Sequence, residues 1–215
     1  FPIQWSGNIL VYTNSPVRMM FEFTNMLEVA SMFRTPGMRK RPSQERSMQT
    51  VRFILEGARR VLEGRETSEF NTSRISEVAG VSVGTLYQYF SGKKDVMATL
   101  VVTDLRNMID EIIGSVIDAD SMEELCDSGV ESLLEFRRSN PRLARIFTQS
   151  ISYCGLEPHL NALAERVRRV VLDRIRTDFS DELPPEADAE IASFVAIHAI
   201  HGVCRAMELE HPEWL

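Results

Sequence analysis

The stretch "SRISEVAGVSVGTLYQYFSGKKD", residues 73–95, determines how the N-terminal half of this chain folds. A short helix is predicted over residues 72–79, with the Thr72 hydroxyl as its N-cap. Gly80 supplies the left-handed backbone that a sharp turn requires. Ser82 is a suitable N-cap for a second helix over residues 83–89. Two short helices joined by a three-residue turn that contains glycine are typical of a helix-turn-helix motif.

Helical periodicity extends outward from this motif in both directions. Upstream, apolar residues at three- and four-residue steps predict a helix from about 43 to 62. Downstream, a helix is predicted from 93 toward 117, and it joins the motif to the rest of the chain. Further helical segments are predicted at 121–138, 141–153, 158–179 and 186–209. The sequence therefore predicts an all-α fold, with a three-helix helix-turn-helix domain followed by a larger helical domain.

Charge is distributed unevenly along the chain, whose formal net charge is −7. Residues 1–37 are neutral. Residues 38–98 carry 11 Lys and Arg against 7 Asp and Glu, a net +4, whereas residues 99–215 carry 11 against 22, a net −11. We therefore predict an N-terminal extension, a basic helix-turn-helix module and an acidic helical domain with these boundaries, the basic module being suited to a polyanion.

Composition argues against several other classes of protein. No apolar run reaches the ~20 residues that a membrane-spanning helix needs, and the chain does not start like a secretory signal, so we expect a cytoplasmic protein without membrane contact. Cys126, Cys154 and Cys204 are far apart, which is typical of reduced thiols. Phosphate-binding loops, nucleophile elbows and zinc-protease motifs are not found, so we expect neither an enzyme nor a cofactor.

The motif resembles the DNA-binding domain of the tetracycline-repressor (TetR) family of bacterial transcriptional regulators. The matching positions are Ile75, Ala79-Gly80-Val81-Ser82, Gly84-Thr85-Leu86-Tyr87, Tyr89-Phe90 and Lys93. The resemblance covers about residues 43–98. It implies a homodimer that binds a palindromic operator in double-stranded DNA, with a C-terminal domain that binds a small-molecule effector and pairs through its last two helices. Lys94 departs from the family pattern, which usually has an acidic residue there.

The second helix of the motif is expected to enter the major groove with its N-terminal end toward the bases. Candidates for base contact are Ser82, Val83, Thr85 and Gln88. Gln88 suits adenine and Val83 suits a thymine methyl group. Gly84 permits close approach of the backbone to DNA, or simply clearance between helices.

Phosphate contacts are implied by the resemblance at Thr72, Tyr87 and Lys93. Tyr89 is either a further phosphate contact or a core residue, and Lys94 is either a phosphate contact or a solvated charge. Ahead of the first helix, a basic arm is expected to reach the minor groove or the backbone of DNA. It consists of Arg39, Lys40 and Arg41.

In the C-terminal half, small residues on one face of the last helix predict close packing against a second helix, as in a dimer interface. They are Ala192, Ala196, Ala199, Val203 and Ala206. Candidate effector-pocket residues are Met108, Ile112, Phe136, Phe147, Tyr153, Phe194, His198 and His201, each of which also suits an ordinary core. The two histidines are three residues apart, but Arg205 nearby disfavours a cation, so we expect no metal.

Residues 1–37 do not match the family pattern. Helical spacing of Met20, Phe23, Leu27 and Ala30 predicts an added amphipathic helix, and the rival interpretation is upstream sequence ahead of a start at Met38. The resemblance to the TetR family implies a ligand-responsive transcriptional repressor. The alternative is a protein-interaction factor tethered to DNA, such as a nucleoid-associated cell-division regulator.

Overall fold

The computed structural model describes residues 5–6, 9–10, 38–40, 42, 44–64, 69–139 and 141–211. These residues are predominantly α-helical, which confirms the predicted fold class. The helices are α1 (Glu45–Glu63), α2 (Thr72–Ala79), α3 (Val83–Tyr89), α4 (Lys93–Asp118), α5 (Met122–Ser139), α6 (Pro141–Cys154), α7 (Glu157–Thr177) and α8 (Ala189–Glu210). A 3-10 turn, Ser180–Glu182, precedes α8.

Near the N-terminus, β1 (Trp5–Ser6) pairs antiparallel with β2 (Ile9–Leu10), which the sequence did not predict. The helix predicted around residues 20–30 lies outside the described residues. None of the helices described here is long and apolar enough to cross a membrane.

The helix-turn-helix motif forms by the local signals that its sequence carries. Gly80 has φ of 67°, the left-handed conformation that the turn requires. The Ser82 hydroxyl accepts a hydrogen bond from the Thr85 N–H at 3.0 Å, which confirms Ser82 as the N-cap of α3. The prediction of Thr72 as the N-cap of α2 was wrong, because Asn71 caps this helix by accepting from the Arg74 N–H at 2.9 Å.

Packing of α1 on α2 is unusually close at one point. A Cβ placed on Gly57 in α1 would lie 2.7 Å from the Cβ of Ala79 in α2 and 2.8 Å from its backbone nitrogen. Only a residue without a side chain fits there. The rest of the small domain closes around fully buried apolar side chains, namely Val51, Ile54, Ala58, Ile75, Leu86 and Phe90.

Helix α4 is continuous across the predicted domain boundary at residues 98–99, and it packs against α1, α5, α6 and α7. Polar contacts attach the helix-turn-helix module to the rest of the protein. Arg59 of α1 forms an ion pair with buried Asp104 of α4. Arg142 of α6 donates from Nε to the Leu62 carbonyl at 3.0 Å. The two modules therefore share a helix and a packed junction.

Candidate nucleic-acid interface and internal cavity

The two faces of α3 are clearly different. Leu86 is fully buried, whereas Tyr87 is 42% exposed and Val83 and Gln88 also face outward. Because the inward side chains fix the helix on the domain core, the outward ones project from a rigid support. This arrangement suits readout of base edges in a groove.

At the start of α3, the cap itself uses some of the predicted contact groups. The Ser82 and Thr85 hydroxyl oxygens lie 2.8 Å apart, so these two side chains are hydrogen-bonded to each other. A Cβ on Gly84 would meet only the Ser82 hydroxyl within 4 Å, at 3.7 Å. Clearance between helices therefore does not explain the glycine, and close approach of its backbone to DNA stays a prediction.

Two hydroxyl groups meet where α2 begins beside α3. The Thr72 Oγ1 and Tyr87 Oη atoms lie 3.3 Å apart, in an exposed position at the N-terminus of α2. Helix N-termini and hydroxyl groups are common phosphate partners. The structure thus brings together two of the three residues implied as phosphate contacts, and the third, Lys93, is exposed at the start of α4.

Lys94 points to a different neighbour. Its ammonium group lies 5.0 Å from the centre of the Tyr153 ring, at the end of α6. Through this cation–π contact the Lys94 charge interacts with an aromatic ring of the protein itself. Tyr153 is itself 62% exposed and does not line the cavity described below.

The basic arm is attached next to α3. The Arg39 N–H donates to the Tyr89 carbonyl at 2.8 Å, and the Arg39 and Lys40 side chains are exposed, while Arg41 lies outside the described residues. The Tyr89 side chain is only 8% exposed and belongs to the core. Its backbone, however, fixes the position at which the arm leaves the domain.

A cavity of about 40 Å³ lies inside the C-terminal domain, bounded by α4, α5, α6, α7 and α8. Four of the predicted pocket residues line it, namely Met108, Phe136, Phe147 and His201. Ile112 is buried elsewhere in the core. Phe194 and His198 do not line this cavity, because they lie exposed on α8 with their ring centroids stacked 4.1 Å apart.

One end of the cavity is polar, which the sequence did not predict. Arg137 and Glu208 are 7% and 4% exposed, and the Arg137 Nε lies 3.6 Å from the Glu208 Oε2. The Thr148 hydroxyl donates to that same Oε2 at 2.8 Å. Burial, together with the positive charges of Arg137 and Arg205 and the neighbouring His198, lowers the pKa of His201. The imidazole at this end is therefore favoured in its neutral form.

Helix α8 has one inward stripe and a broad apolar outer surface. Ser193, Cys204 and Glu208 mark the buried stripe. Of the small residues predicted to form an interface, Ala192, Ala196 and Ala206 are half-buried, and Ala199 and Val203 are exposed. Large apolar side chains are exposed beside them, namely Ile191, Phe194, Val195, Val203 and Leu209.

Among the described residues, no group of three or more His, Cys, Asp or Glu is arranged to hold a metal ion.

Comparison with known proteins agrees with this geometry. Residues 54–100, which run from α1 to α4, match the family model for bacterial regulatory proteins of the tetR family. The chain is 24% identical over 132 residues to the nucleoid occlusion factor SlmA of Haemophilus influenzae, covering 61% of this chain and 59% of that protein. It therefore spans about three fifths of the length of that relative. It is also 20% identical over 170 residues to the uncharacterized HTH-type transcriptional regulator YhgD of Bacillus subtilis, covering 77% and 88%.

Solved structures share the fold. The fatty acid degradation regulator FadR from Bacillus halodurans superposes with a TM-score of 0.54 at 18% identity, over 81% of this chain and 95% of that one. A TetR family transcription regulator from Marinobacter aquaeolei gives 0.53 at 17%, over 79% and 93%. The similarity at these identities establishes the fold alone.

Proposed function

We propose that this chain, whose residues 54–100 form the DNA-binding domain of the TetR family of bacterial regulatory proteins, acts as a dimeric transcriptional repressor released by a small-molecule effector. The observation that carries the proposal is the outward face of α3. It presents Val83, Tyr87 and Gln88 from a helix that is fixed by buried Leu86. In this role α3 enters the major groove, with Thr72, Tyr87 and Lys93 on phosphates and the arm at Arg39 and Lys40 alongside.

Dimerisation is supported by the outer surface of α8. A stretch of exposed apolar side chains along one helix is more than scattered surface hydrophobicity, and it suits association with an identical helix. In a two-fold dimer, two copies of α3 would read a palindromic operator at half-sites about 34–36 Å apart, one turn of DNA.

The dimer is tested by substitution on this surface. Phe194→Glu with Val203→Glu places charges within the proposed interface and is expected to give monomers by light scattering coupled to size-exclusion chromatography. Tyr153→Glu, at an equally exposed ring on α6, is the control and is expected to remain dimeric. Dimers of the doubly substituted chain would contradict the α8 interface.

The operator proposal is tested by mapping bound DNA in cells and by footprinting with purified protein. A repressor is expected to occupy a few palindromic sites, and each should be protected symmetrically. Protection without two-fold symmetry would contradict paired recognition helices.

The similarity to SlmA favours a second candidate, a factor that uses DNA as a tether for a protein partner. The same mapping experiment separates the two. Many sites dispersed over the chromosome, with no change in transcription of neighbouring genes on deletion, would favour the tether. A few sites next to genes whose transcription rises on deletion would favour the repressor.

A further inference from the structure

We infer that the cavity binds an uncharged ligand that carries a hydroxyl group on an apolar body, with Arg137 and Glu208 as the two partners of that hydroxyl. This inference rests on the proposed function in taking the cavity as the effector site. It goes further by naming the chemistry of the ligand.

Arg137 and Glu208 line the polar end of the cavity, and each has one side-chain atom without a hydrogen-bond partner. The Arg137 Nε makes no hydrogen bond, since its 3.6 Å separation from the Glu208 Oε2 is too long for one. The Glu208 Oε1 has no hydrogen-bond partner either. Both side chains are more than nine-tenths buried and both line the cavity. Buried polar atoms of this kind are strongly favoured to find partners.

The other carboxylate oxygen of Glu208 and a terminal nitrogen of Arg137 already have hydrogen-bond partners within the protein. The Glu208 Oε2 accepts from the Thr148 hydroxyl at 2.8 Å, and an Arg137 terminal nitrogen donates to the Leu133 carbonyl at 3.2 Å. Rotating either group to satisfy its orphaned atom would break one of these bonds. An external group is therefore the better partner for the donor and the acceptor.

A hydroxyl group matches this pair because its oxygen accepts and its hydrogen donates. Charge excludes the obvious rival, a carboxylate. The buried charges of Arg137 and Glu208 balance each other, and the charge of Arg205, which also lines the cavity, is screened because this side chain is exposed to solvent. A buried anion would therefore add an uncompensated charge beside the bare Glu208 oxygen, which is costly.

The remainder of the lining determines the body of the ligand. Apart from Thr148, His201 and Arg205 it is apolar, and it includes Met108, Leu133, Phe136, Phe147 and Ile151. The cavity of about 40 Å³ exceeds the roughly 10–15 Å³ that a water-sized group occupies. It is smaller than the ~150 Å³ that accepts a benzene-sized ligand. A ligand of several carbons therefore requires the flexible Met108 side chain to move, which suits an effector that changes the structure.

The test is calorimetric titration of the DNA-free protein with four probes of matched apolar body: hexanol, hexyl methyl ether, hexanoate and hexylamine. Hexanol is expected to bind at least about tenfold more tightly than the ether, which accepts from Arg137 but cannot donate to Glu208. Hexanoate and hexylamine are expected to bind more weakly still. Equal binding of the ether, tightest binding of either charged probe, or no binding of any probe would overturn the inference.

Paired substitutions locate the effect. Arg137→Leu with Glu208→Leu removes both charges together and is expected to abolish the preference for hexanol over the ether. Arg138→Leu with Glu131→Leu removes an exposed ion pair from the same helix, and this control is expected to keep the preference. If the first variant does not fold, the ranking of the probes on the unchanged protein still decides.

A separate titration of operator DNA distinguishes this inference from the proposed function. Binding of hexanol without any specific DNA binding would remove the proposed function and leave the ligand chemistry standing. Specific DNA binding with no probe bound would do the reverse.

Discussion

The Lys94 ammonium group lies 5.0 Å from the centre of the Tyr153 ring, and the Cys154 thiol lies 3.9 Å from the Lys94 carbonyl oxygen. The first turn of α4 is thereby held against the last turn of α6. Lys93, one residue earlier, has no such contact among the described residues and is exposed. Two adjacent lysines thus have different surroundings, and they are expected to contribute unequally to DNA binding.

Lys93→Ala is expected to weaken DNA binding on specific and non-specific sequences alike, and to reduce the slope of log affinity against log salt by about one. Lys94→Ala is expected to change both quantities less, because this charge is directed toward Tyr153. Fluorescence anisotropy at several salt concentrations measures both. A larger effect from Lys94 would show that the cation–π contact is given up when DNA binds.

Gln88→Ala is expected to reduce affinity for the operator by about 1–3 kcal/mol and to relax specificity at one base pair. Tyr87→Phe is the comparison, because it removes only the hydroxyl that lies 3.3 Å from Thr72. It is expected to weaken operator and random DNA equally. Binding to a library of operator variants provides the measurement, and unchanged specificity of the Gln88 variant would contradict the proposed orientation of α3.

Gly57→Ala is expected to destabilise the protein by about 1–3 kcal/mol, because the added methyl group would meet Ala79, including its backbone, at under 3 Å. Gly129→Ala in α5 is the matched control. A Cβ there meets nothing within 4 Å, so replacing a helical glycine is expected to stabilise by about 0.5–1 kcal/mol. Urea unfolding of both variants measures these changes. Equal changes in the free energy of unfolding would show that α1 and α2 move apart at little cost.

His201 is expected to make stability depend on pH. Because burial and the nearby Arg137 and Arg205 lower its pKa in the folded state, the unfolded chain takes up a proton first as the pH falls. The free energy of unfolding should therefore decrease as the pH drops below about 6.5, the ordinary value for this side chain. His201→Gln is expected to flatten that decrease in thermal unfolding measured across this range. His198→Gln, at an exposed ring on the same helix that is the smallest of the causes lowering the His201 pKa, is the control and is expected to keep most of the decrease.

Local signals predicted the DNA-binding module well. The turn at Gly80 and the cap at Ser82 depend only on neighbouring residues, so the sequence defines them without tertiary information. The cap of α2 was misassigned by one residue, because Asn71 and Thr72 are both good capping residues and only the geometry chooses between them.

The cavity was predicted less well. Helix α8 is apolar around most of its circumference, so periodicity did not show that Phe194 and His198 face outward. Arg137 and Glu208 gave no usable signal as individual residues, since charged side chains are usually exposed. The spacing of Ser193, Ile197, Cys204 and Glu208 does follow one helical stripe, and it could have identified the glutamate as inward-facing.

The mutual burial of Arg137 and Glu208 also constrains how this protein can evolve. Replacing either residue alone by an uncharged one leaves the other as an unpaired buried charge. The free energy of unfolding then falls by about 3–5 kcal/mol, which is a large part of the total for a typical domain. Single steps away from the pair would therefore be removed by selection. Descendants and relatives are expected to keep both residues or to have exchanged both for apolar ones, so that the two positions covary across the lineage.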